Sequence, residues 1–302
     1  MSVPLAYSGV ILIWSTTPLA IKWSSDGSGF LFGISSRMLM ATLLCLVLIR
    51  LLKIELPWHR DAFKTYLAAG MGFYAAMLAV YWGAQFIPSG MVSVLFGLTP
   101  LFTGILAAIW LGNEKFGMEK IIGTLAGLFG LMIIFSDNIE VSLITAQGII
   151  AVLISVILHS ISSIHIKRID AGLPSLAITT GGLLIAAPLF IATWLISGQS
   201  FPEQLTLRSG ISIVYLSVFG SVIGFIMYFY TLKNMDASKV ALITLITPVI
   251  ALIIGTYFNH EEISHHAYLG TAVILTGLIS FQWVALSRVG RKRLIKERDN
   301  AN

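Results

Sequence analysis

A stretch of 49 consecutive residues, 65–113, contains no Asp, Glu, Lys or Arg. A bilayer core requires about 20 apolar residues per helix, so this stretch is long enough to cross a membrane twice. The rest of the chain has the same character, since 57% of its 302 residues are hydrophobic, only 11% are charged and the mean hydropathy is +0.89. Soluble domains of this length need far more surface charge. The sequence therefore predicts an all-α, polytopic membrane protein.

Apolar stretches of helical length follow one another along almost the whole chain. The first of them lacks a basic leader segment and a convincing small-residue cleavage site, so we predict a retained helix rather than a signal peptide. Ten transmembrane helices are predicted near residues 4–24, 29–50, 64–87, 90–112, 117–136, 143–166, 174–197, 208–232, 238–259 and 265–287.

The basic residues are distributed unevenly between the two sides of the predicted bundle. With a cytoplasmic N-terminus, 16 of the 19 Lys and Arg residues face the cytoplasm, whereas Lys22 and Arg208 lie outside and Arg37 lies within a helix. Because cytoplasmic loops carry an excess of basic residues, we predict a multi-pass protein of the bacterial inner membrane with both termini in the cytoplasm. The basic tail, residues 288–302, is interpreted as a topological anchor, with binding of anionic lipid or a partner as the alternative. This bias explains the net charge of +5 without a nucleic-acid partner.

An internal repeat relates the two halves of the chain. Thr99–Pro100 in the fourth predicted helix matches Thr247–Pro248 in the ninth, and an acidic residue follows each proline after 14 residues, namely Glu114 and Glu262. Two glycines with a seven-residue step also recur, Gly123 with Gly130 and Gly270 with Gly277.

These matches divide the chain into two five-helix units, residues 1–137 and 142–287, followed by the basic tail. An odd number of helices in each unit makes the second unit enter the membrane from the opposite side. The sequence therefore predicts two inverted-topology repeats, an arrangement that favours alternating access around a central site over a static pore.

The ordered set of motifs resembles the drug/metabolite transporter superfamily, specifically its ten-helix EamA-type exporters. The resemblance covers nearly the whole chain and is carried by Trp14–Ser15–Thr16–Thr17–Pro18, Arg37, Tyr81–Trp82, Thr99–Pro100, Glu114, Gly123, Gly130, Tyr228–Phe229–Tyr230, Thr247–Pro248, Glu262, Gly270 and Gly277. It implies a ten-helix basket with a central cavity, and export of amino acids, other small metabolites or toxic amphiphiles. One departure is that the seventh helix has no arginine matching Arg37, so the cavity need not be electrostatically symmetric.

Arg37 is the full charge that falls deepest inside a predicted helix, about eight residues or roughly 12 Å from the outer end. A cation at this depth is expensive unless it is hydrated or paired, so it is expected to face the bundle interior or a water-filled cavity. One hypothesis is that Arg37 binds a carboxylate or another anionic group of the substrate. The alternative is a structural arginine that is satisfied by carbonyls at a helix end.

Aromatic and polar residues at helical spacing suggest the lining of that cavity. Tyr74, Tyr81 and Gln85 fall on one face of the third predicted helix, and His159 lies deep in the sixth. Such a mixture suits a partly apolar, zwitterionic or amphiphilic solute. For His159 and for each aromatic residue, plain packing is the alternative. The candidate substrate-binding residues are Trp14, Arg37, Tyr74, Tyr81, Gln85, Ser93, His159 and Tyr228.

Pro18, Pro100 and Pro248 lie within predicted helices and are candidate hinges, because proline removes a backbone donor and loosens a helix. Glu114 and Glu262 each precede a helix, where an acid complements the positive end of the helix dipole. No acidic residue falls in the middle of a predicted helix, so we predict facilitated diffusion or exchange rather than proton coupling through a carboxylate.

These features together predict a transporter that exports a small metabolite, such as an amino acid or a similar amphiphilic solute, with import or exchange as the alternative. A channel is less favoured because no charged ring or repeated filter segment is present. An intramembrane enzyme is disfavoured because no embedded carboxylate pair or catalytic triad is recognisable. The lone Cys45 excludes an intrachain disulfide or a cysteine cluster for a metal. We expect no cofactor and no metal, and a monomer whose partners are a small-molecule substrate and membrane lipid.

Overall fold

The computed structural model describes residues 1–111, 143–199, 201–241, 243–261, 264–266 and 268–277, with residues 122, 125–126, 129–130 and 132–133. All regular structure in these residues is helical. Seven of the helices are long and apolar enough to span a membrane, which confirms the prediction of an all-α polytopic membrane protein. They are α1 (Val3–Ser25), α2 (Phe30–Leu52), α3 (Arg60–Gly83), α4 (Ser89–Trp110), α5 (Leu143–Ile169), α6 (Ser175–Ile196) and α7 (Leu207–Asn234).

Three shorter helices complete the described residues: α8 (Ala237–Val240), α9 (Ile243–Asn259) and α10 (Tyr268–Gly277). Most observed boundaries lie within a few residues of the predicted ones. Helix α3 begins four residues early because His59 caps it, its Nδ1 accepting a hydrogen bond from the Ala62 N–H at 3.3 Å. Most of the helix predicted at residues 117–136 lies outside the described residues, and the described positions within it, residues 122, 125–126, 129–130 and 132–133, are helical.

One end of the bundle, called here the Asp26 end, holds the α1–α2 turn and the loops that follow α3, α6 and α9. Its elements are joined by the salt bridge between Asp26 and Arg208, and by the Trp23 Nε1 group, which donates to the Asn259 Oδ1 atom at 2.8 Å. Helices α1 and α9, which belong to different halves of the chain, therefore meet at this end.

The opposite end, called the Lys53 end, holds the α2–α3 and α5–α6 loops and the end of α7. The Lys233 ammonium donates to the Leu173 carbonyl at 3.2 Å, and the Tyr7 hydroxyl donates to the Lys239 carbonyl at 3.4 Å. These contacts fix helix directions: α1 runs from the Lys53 end to the Asp26 end, and α5 runs the opposite way.

Glycines allow the helices to approach closely where α3 packs against α6. A Cβ added to Gly181 would lie 2.2 Å from the nearest ring carbon of Tyr66, whose side chain is fully buried. Small residues have this role in membrane bundles because close backbone approach maximises van der Waals contact. Two helices also contain π-helical turns, Gly72–Ala76 in α3 and Leu216–Ile223 in α7, a rare geometry that is frequent at functional sites.

We predict that Gly181→Ala destabilises the protein by about 1–3 kcal/mol, because the added methyl group overlaps the Tyr66 ring in a packed interface. The thermal unfolding midpoint in detergent should fall accordingly. Gly210→Ala is the matched control, since its Cβ would meet only Leu205 at an ordinary 3.5 Å. Equal midpoints for the two variants would contradict the packing described here.

Candidate functional site

A cavity lies in the centre of the bundle and is lined by elements from both halves of the chain. The space is narrow, and its empty volume, which includes the space at its open side, is about 590 Å³. The walls are mainly apolar, with hydroxyl groups and one guanidinium exposed to the space. The lining residues are Trp14, Thr17, Pro18, Ile21, Arg37, Met77, Val80, Val92, Ser93, Phe96, His159, Phe225, Thr244 and Thr247.

Arg37 on α2 supplies the guanidinium, and its side chain is only 1% exposed. Its Nε atom donates to the Ser221 hydroxyl at 2.9 Å, and its Nη1 atom donates to the Tyr81 hydroxyl at 3.2 Å. Ser221 belongs to the π-helical turn of α7, where Gly220 leaves room for the guanidinium: a Cβ there would lie 3.2 Å from Nη2. The local sequence therefore builds a socket for this cation.

The charge of Arg37 is compensated in that socket by hydroxyl dipoles. Among the described residues, no carboxylate oxygen lies within 4.0 Å of its guanidinium. A buried cation without a counter-charge is costly in a low-dielectric interior. The site can therefore gain stabilisation from an anionic group that enters the cavity.

An aromatic cluster forms the part of the cavity wall nearest the Lys53 end. The ring centroids of Trp14 and Tyr228 are 5.0 Å apart, and the His159 ring lies 5.7 Å from the first and 5.3 Å from the second. The Tyr228 hydroxyl is hydrogen-bonded to the Ser163 hydroxyl at 2.6 Å. These contacts fix the rings, so they present a rigid apolar surface to the cavity.

Five of the eight predicted binding residues lie at the central cavity or in ring contact with residues that line it. Trp14, Arg37, Ser93 and His159 line the central cavity together. Tyr228 supports two of them by ring contact, as described above.

The third helix distributes its predicted residues differently. Tyr81 contacts Arg37, whereas Tyr74 turns towards α6, where its hydroxyl is hydrogen-bonded to the Thr193 hydroxyl at 2.6 Å. Gln85 is exposed at the Asp26 end, and its Nε2 atom donates to the Trp82 carbonyl at 3.2 Å. The three residues share one helix face but meet three different surroundings.

A second cavity opens at the Asp26 end and is called here the vestibule. Its empty volume is about 690 Å³, larger than that of the central cavity. Tyr81 lines the vestibule and also accepts the hydrogen bond from Arg37, so this residue lies between the two spaces. The vestibule is lined by Lys22, Trp23, Ser25, Asp26, Tyr81, Ala84, Gln85, Arg208 and Asn259.

Of the three predicted hinge prolines, Pro18 lies beside the central cavity, and Pro248 lies beside the helix break that precedes Pro100. Pro18 lines the cavity within α1, and Pro100 begins the second part of α4 after a break at Gly97. A Cβ on Gly97 would lie 3.6 Å from the Pro248 ring of α9, so the α4 break and the α9 proline are adjacent. Their role as hinges stays a prediction.

Glu261, just beyond α9, is buried at the Asp26 end and was not singled out by the sequence patterns. Its Oε2 atom accepts hydrogen bonds from the Ser89 hydroxyl at 2.9 Å and from the Gly90 N–H at 3.3 Å. Its Oε1 atom accepts from the Asn259 amide at 2.9 Å and lies 3.9 Å from the Lys22 ammonium. One carboxylate thus joins the end of α1, the start of α4 and the end of α9.

The position of Glu261 matches the role predicted for acids at helix ends, because it lies at the positive end of α4. Glu114 and Glu262, to which the sequence assigns that role, lie outside the described residues. A signal for Glu261 was present: Gly270 follows it after nine residues, as Gly123 follows Glu114.

No group of three or more His, Cys, Asp or Glu side chains suitable for a metal ion occurs within the part of the chain that the structure describes. A multi-pass helical bundle with a central, chemically selective cavity defines a class, that of membrane transporters. The EamA-like transporter family model matches the chain twice, over residues 3–136 and 146–281. The chain therefore belongs to the EamA-like transporter family, as its sequence motifs predict.

Individual relatives agree with this family. The chain is 25% identical over 283 residues to "Uncharacterized transporter YoaV" of Bacillus subtilis, covering 92% of this chain and 96% of the relative. It is 26% identical over 281 residues to "Uncharacterized inner membrane transporter YedA" of Escherichia coli K12, covering 91% and 88% respectively. A solved crystal structure with 18% sequence identity shares the fold, with a TM-score of 0.70 over 95% of this chain and 98% of that chain.

We predict that Glu261→Ala lowers the free energy of unfolding by about 1–3 kcal/mol, because it leaves the buried donors of Ser89 and Gly90 without their acceptor. Thermal unfolding in detergent measures the loss. Glu203→Ala is the control, since Glu203 is an exposed acid in a loop at the same end. A Glu261→Ala variant as stable as this control would contradict the connecting role of Glu261.

Proposed function

We propose that this protein is a carrier that moves a small amphiphilic metabolite across the bacterial inner membrane by alternating access around the central cavity, in the direction of export. The observation that carries the proposal is the cavity itself: it lies in the middle of the bundle, it is lined by residues of both halves, and it holds a buried guanidinium. Membrane-embedded charges of this kind mark substrate pathways.

The proposed two-fold relation between the halves is supported by two equivalent contacts. The Lys22 ammonium at the end of α1 donates to the Ile87 carbonyl at 3.2 Å, and the Lys167 ammonium at the end of α5 donates to the Leu232 carbonyl at 2.7 Å. Both contacts join residues 65 positions apart, and they lie at opposite ends of the bundle. An inverted repeat, residues 1–137 and 142–287, accounts for this relation.

We propose ten membrane crossings, a count that the same helix directions support. Near the end of α4, the Trp110 ring lies 5.1 Å from the His165 ring, close to the Lys53 end. The start of α5 lies at the Asp26 end, where a Cβ on Gly148 would lie 2.9 Å from Phe86. The intervening residues 111–142 therefore need an odd number of crossings, and their length suits one.

The positive-inside rule supports assignment of the Lys53 end to the cytoplasm, with both termini on that side. The inner-membrane location is supported by the name of the YedA relative, an inner membrane transporter. The proposed partners are a small-molecule solute and membrane lipid, without nucleic acid, and the proposed carrier unit is a monomer. Coupling is proposed as facilitated diffusion or exchange, because no Asp or Glu lines the central cavity among its described residues.

The substrate site is proposed to comprise Trp14, Arg37, Ser93 and His159 at the cavity surface, with Tyr81 and Tyr228 in contact with them. Tyr74 and Gln85 are proposed to act from the α6 interface and the vestibule. Alternation requires the two ends to open in turn, and at the Asp26 end the contacts that must part are those of Glu261 and the Asp26–Arg208 pair. The prolines beside the cavity offer sites for the bending that this exchange needs.

We expect proteoliposomes loaded with a transported solute to accumulate the labelled solute transiently from outside, because a carrier exchanges one bound molecule for another. This counterflow should saturate with external concentration. Uptake that neither saturates nor responds to internal solute would instead indicate a channel and overturn the carrier proposal.

A labelling experiment tests the orientation. In a Cys45→Ala background, Glu203→Cys at the Asp26 end should react with a membrane-impermeant maleimide in intact cells. Glu55→Cys at the Lys53 end should react only after permeabilisation. Both positions are exposed, and Cys45 is buried. The reverse pattern would overturn the assignment of the Lys53 end to the cytoplasm.

A further inference from the structure

The central cavity has an unbalanced charge. Arg37 contributes a full positive charge, and the described lining residues include no Asp or Glu. Of the described acids at the Asp26 end, Asp26 pairs with Arg208, and Glu261 accepts hydrogen bonds from Ser89, Gly90 and Asn259. Glu203 is exposed in a loop and does not line the cavity. The cavity therefore offers one cation and no side-chain anion.

The guanidinium also keeps capacity for a ligand. Arginine has five N–H donors, and the bonds to Ser221 and Tyr81 use the Nε atom and one of the two terminal nitrogens. A carboxylate binds such a planar fork through two parallel hydrogen bonds, which are charge-assisted and stronger than those between neutral groups. Arg37 therefore retains N–H donors that can bind a carboxylate.

The side chains of the cavity walls indicate the chemistry of the part of the ligand that does not bind Arg37. Within the cavity, Trp14, Phe96 and His159 present rings, and Met77, Val80 and Val92 present aliphatic groups. The narrow space between these walls restricts the ligand to a small molecule. An apolar body, particularly a planar ring, matches this surface.

We infer that the substrates are small monocarboxylates with an apolar, ring-bearing body and no ammonium group, held through Arg37. This inference rests on the proposed carrier function and narrows its substrate class. Binding such an anion neutralises Arg37 within the membrane, whereas a cation would place two positive charges in one cavity. An amino acid would leave its ammonium group facing the same cavity without a side-chain anion. Ring faces could hold an ammonium group, and the experiment measures that alternative directly.

The experiment compares four probes that share a phenyl-ethyl body and differ in charge: 3-phenylpropanoate, 3-phenylpropanamide, L-phenylalanine and 2-phenylethylammonium. Their dissociation constants are measured by calorimetry on the purified full-length protein. We expect the carboxylate to bind about 10- to 100-fold more tightly than the amide, the range that charge-assisted hydrogen bonds provide. Phenylalanine and the ammonium probe should bind no better than the amide.

Arg37→Gln should remove the preference for the carboxylate and leave binding of the amide unchanged. Arg50→Gln is the matched control, since Arg50 is an exposed arginine at the far end of the same helix, and it should retain the preference. Should Arg37→Gln fail to fold, the ranking of the four probes on the wild-type protein still decides the inference.

Phenylalanine or the ammonium probe binding as tightly as the carboxylate would overturn the inference, and so would failure of all four probes to bind at about 10 mM. Counterflow measurements distinguish failure of the substrate inference from failure of the carrier proposal. Counterflow of phenylalanine without counterflow of the carboxylate leaves a carrier with a different substrate class. If the carboxylate binds but no probe shows saturable counterflow, the ligand class is supported and the carrier proposal is overturned.

Discussion

The buried guanidinium of Arg37 is the constraint on which the rest of the site depends. A cation that is 1% exposed inside an apolar bundle requires local polar partners, and the chain supplies them from α3 and from the π-helical turn of α7. Gly220 makes the approach possible, and Tyr81 extends the contact to the vestibule. Packing, backbone geometry and the position of the cavity are therefore linked through one side chain.

The relation between the two halves gives this site its mechanical setting. The contacts of Lys22 and Lys167 have the same sequence separation and lie at opposite ends of the bundle. Under the proposed inverted relation, the two repeats exchange conformations, so that a cavity between them opens to either side in turn. Arg37 has no counterpart in the second half, which means that the scaffold is repeated but the charge of the cavity is not.

Hydropathy was sufficient to predict the long described helices and the membrane class, because lipid requires long apolar helices. The ordered set of motifs predicted the family. The depth of Arg37 also followed from its position in the sequence. The partners of individual residues did not follow, since periodicity defines a helix face but not the neighbour that covers it. Tyr74 and Tyr81 therefore share a face and contact different helices. The π-helical turns depend on tertiary packing, which no local pattern encodes, and the spacing of Glu261 from Gly270 gave its place in the repeat but not its partners.

The central claim is that one cavity opens to the two sides of the membrane in turn. Trp23 and Asn259 touch across the two halves at the Asp26 end. In a Cys45→Ala background, Trp23→Cys and Asn259→Cys can be joined by a short thiol-cleavable crosslinker, with each single variant treated identically as a control. The crosslinked carrier should lose counterflow and recover it when the link is cleaved. Counterflow at the uncrosslinked rate while the link is intact would contradict alternating access.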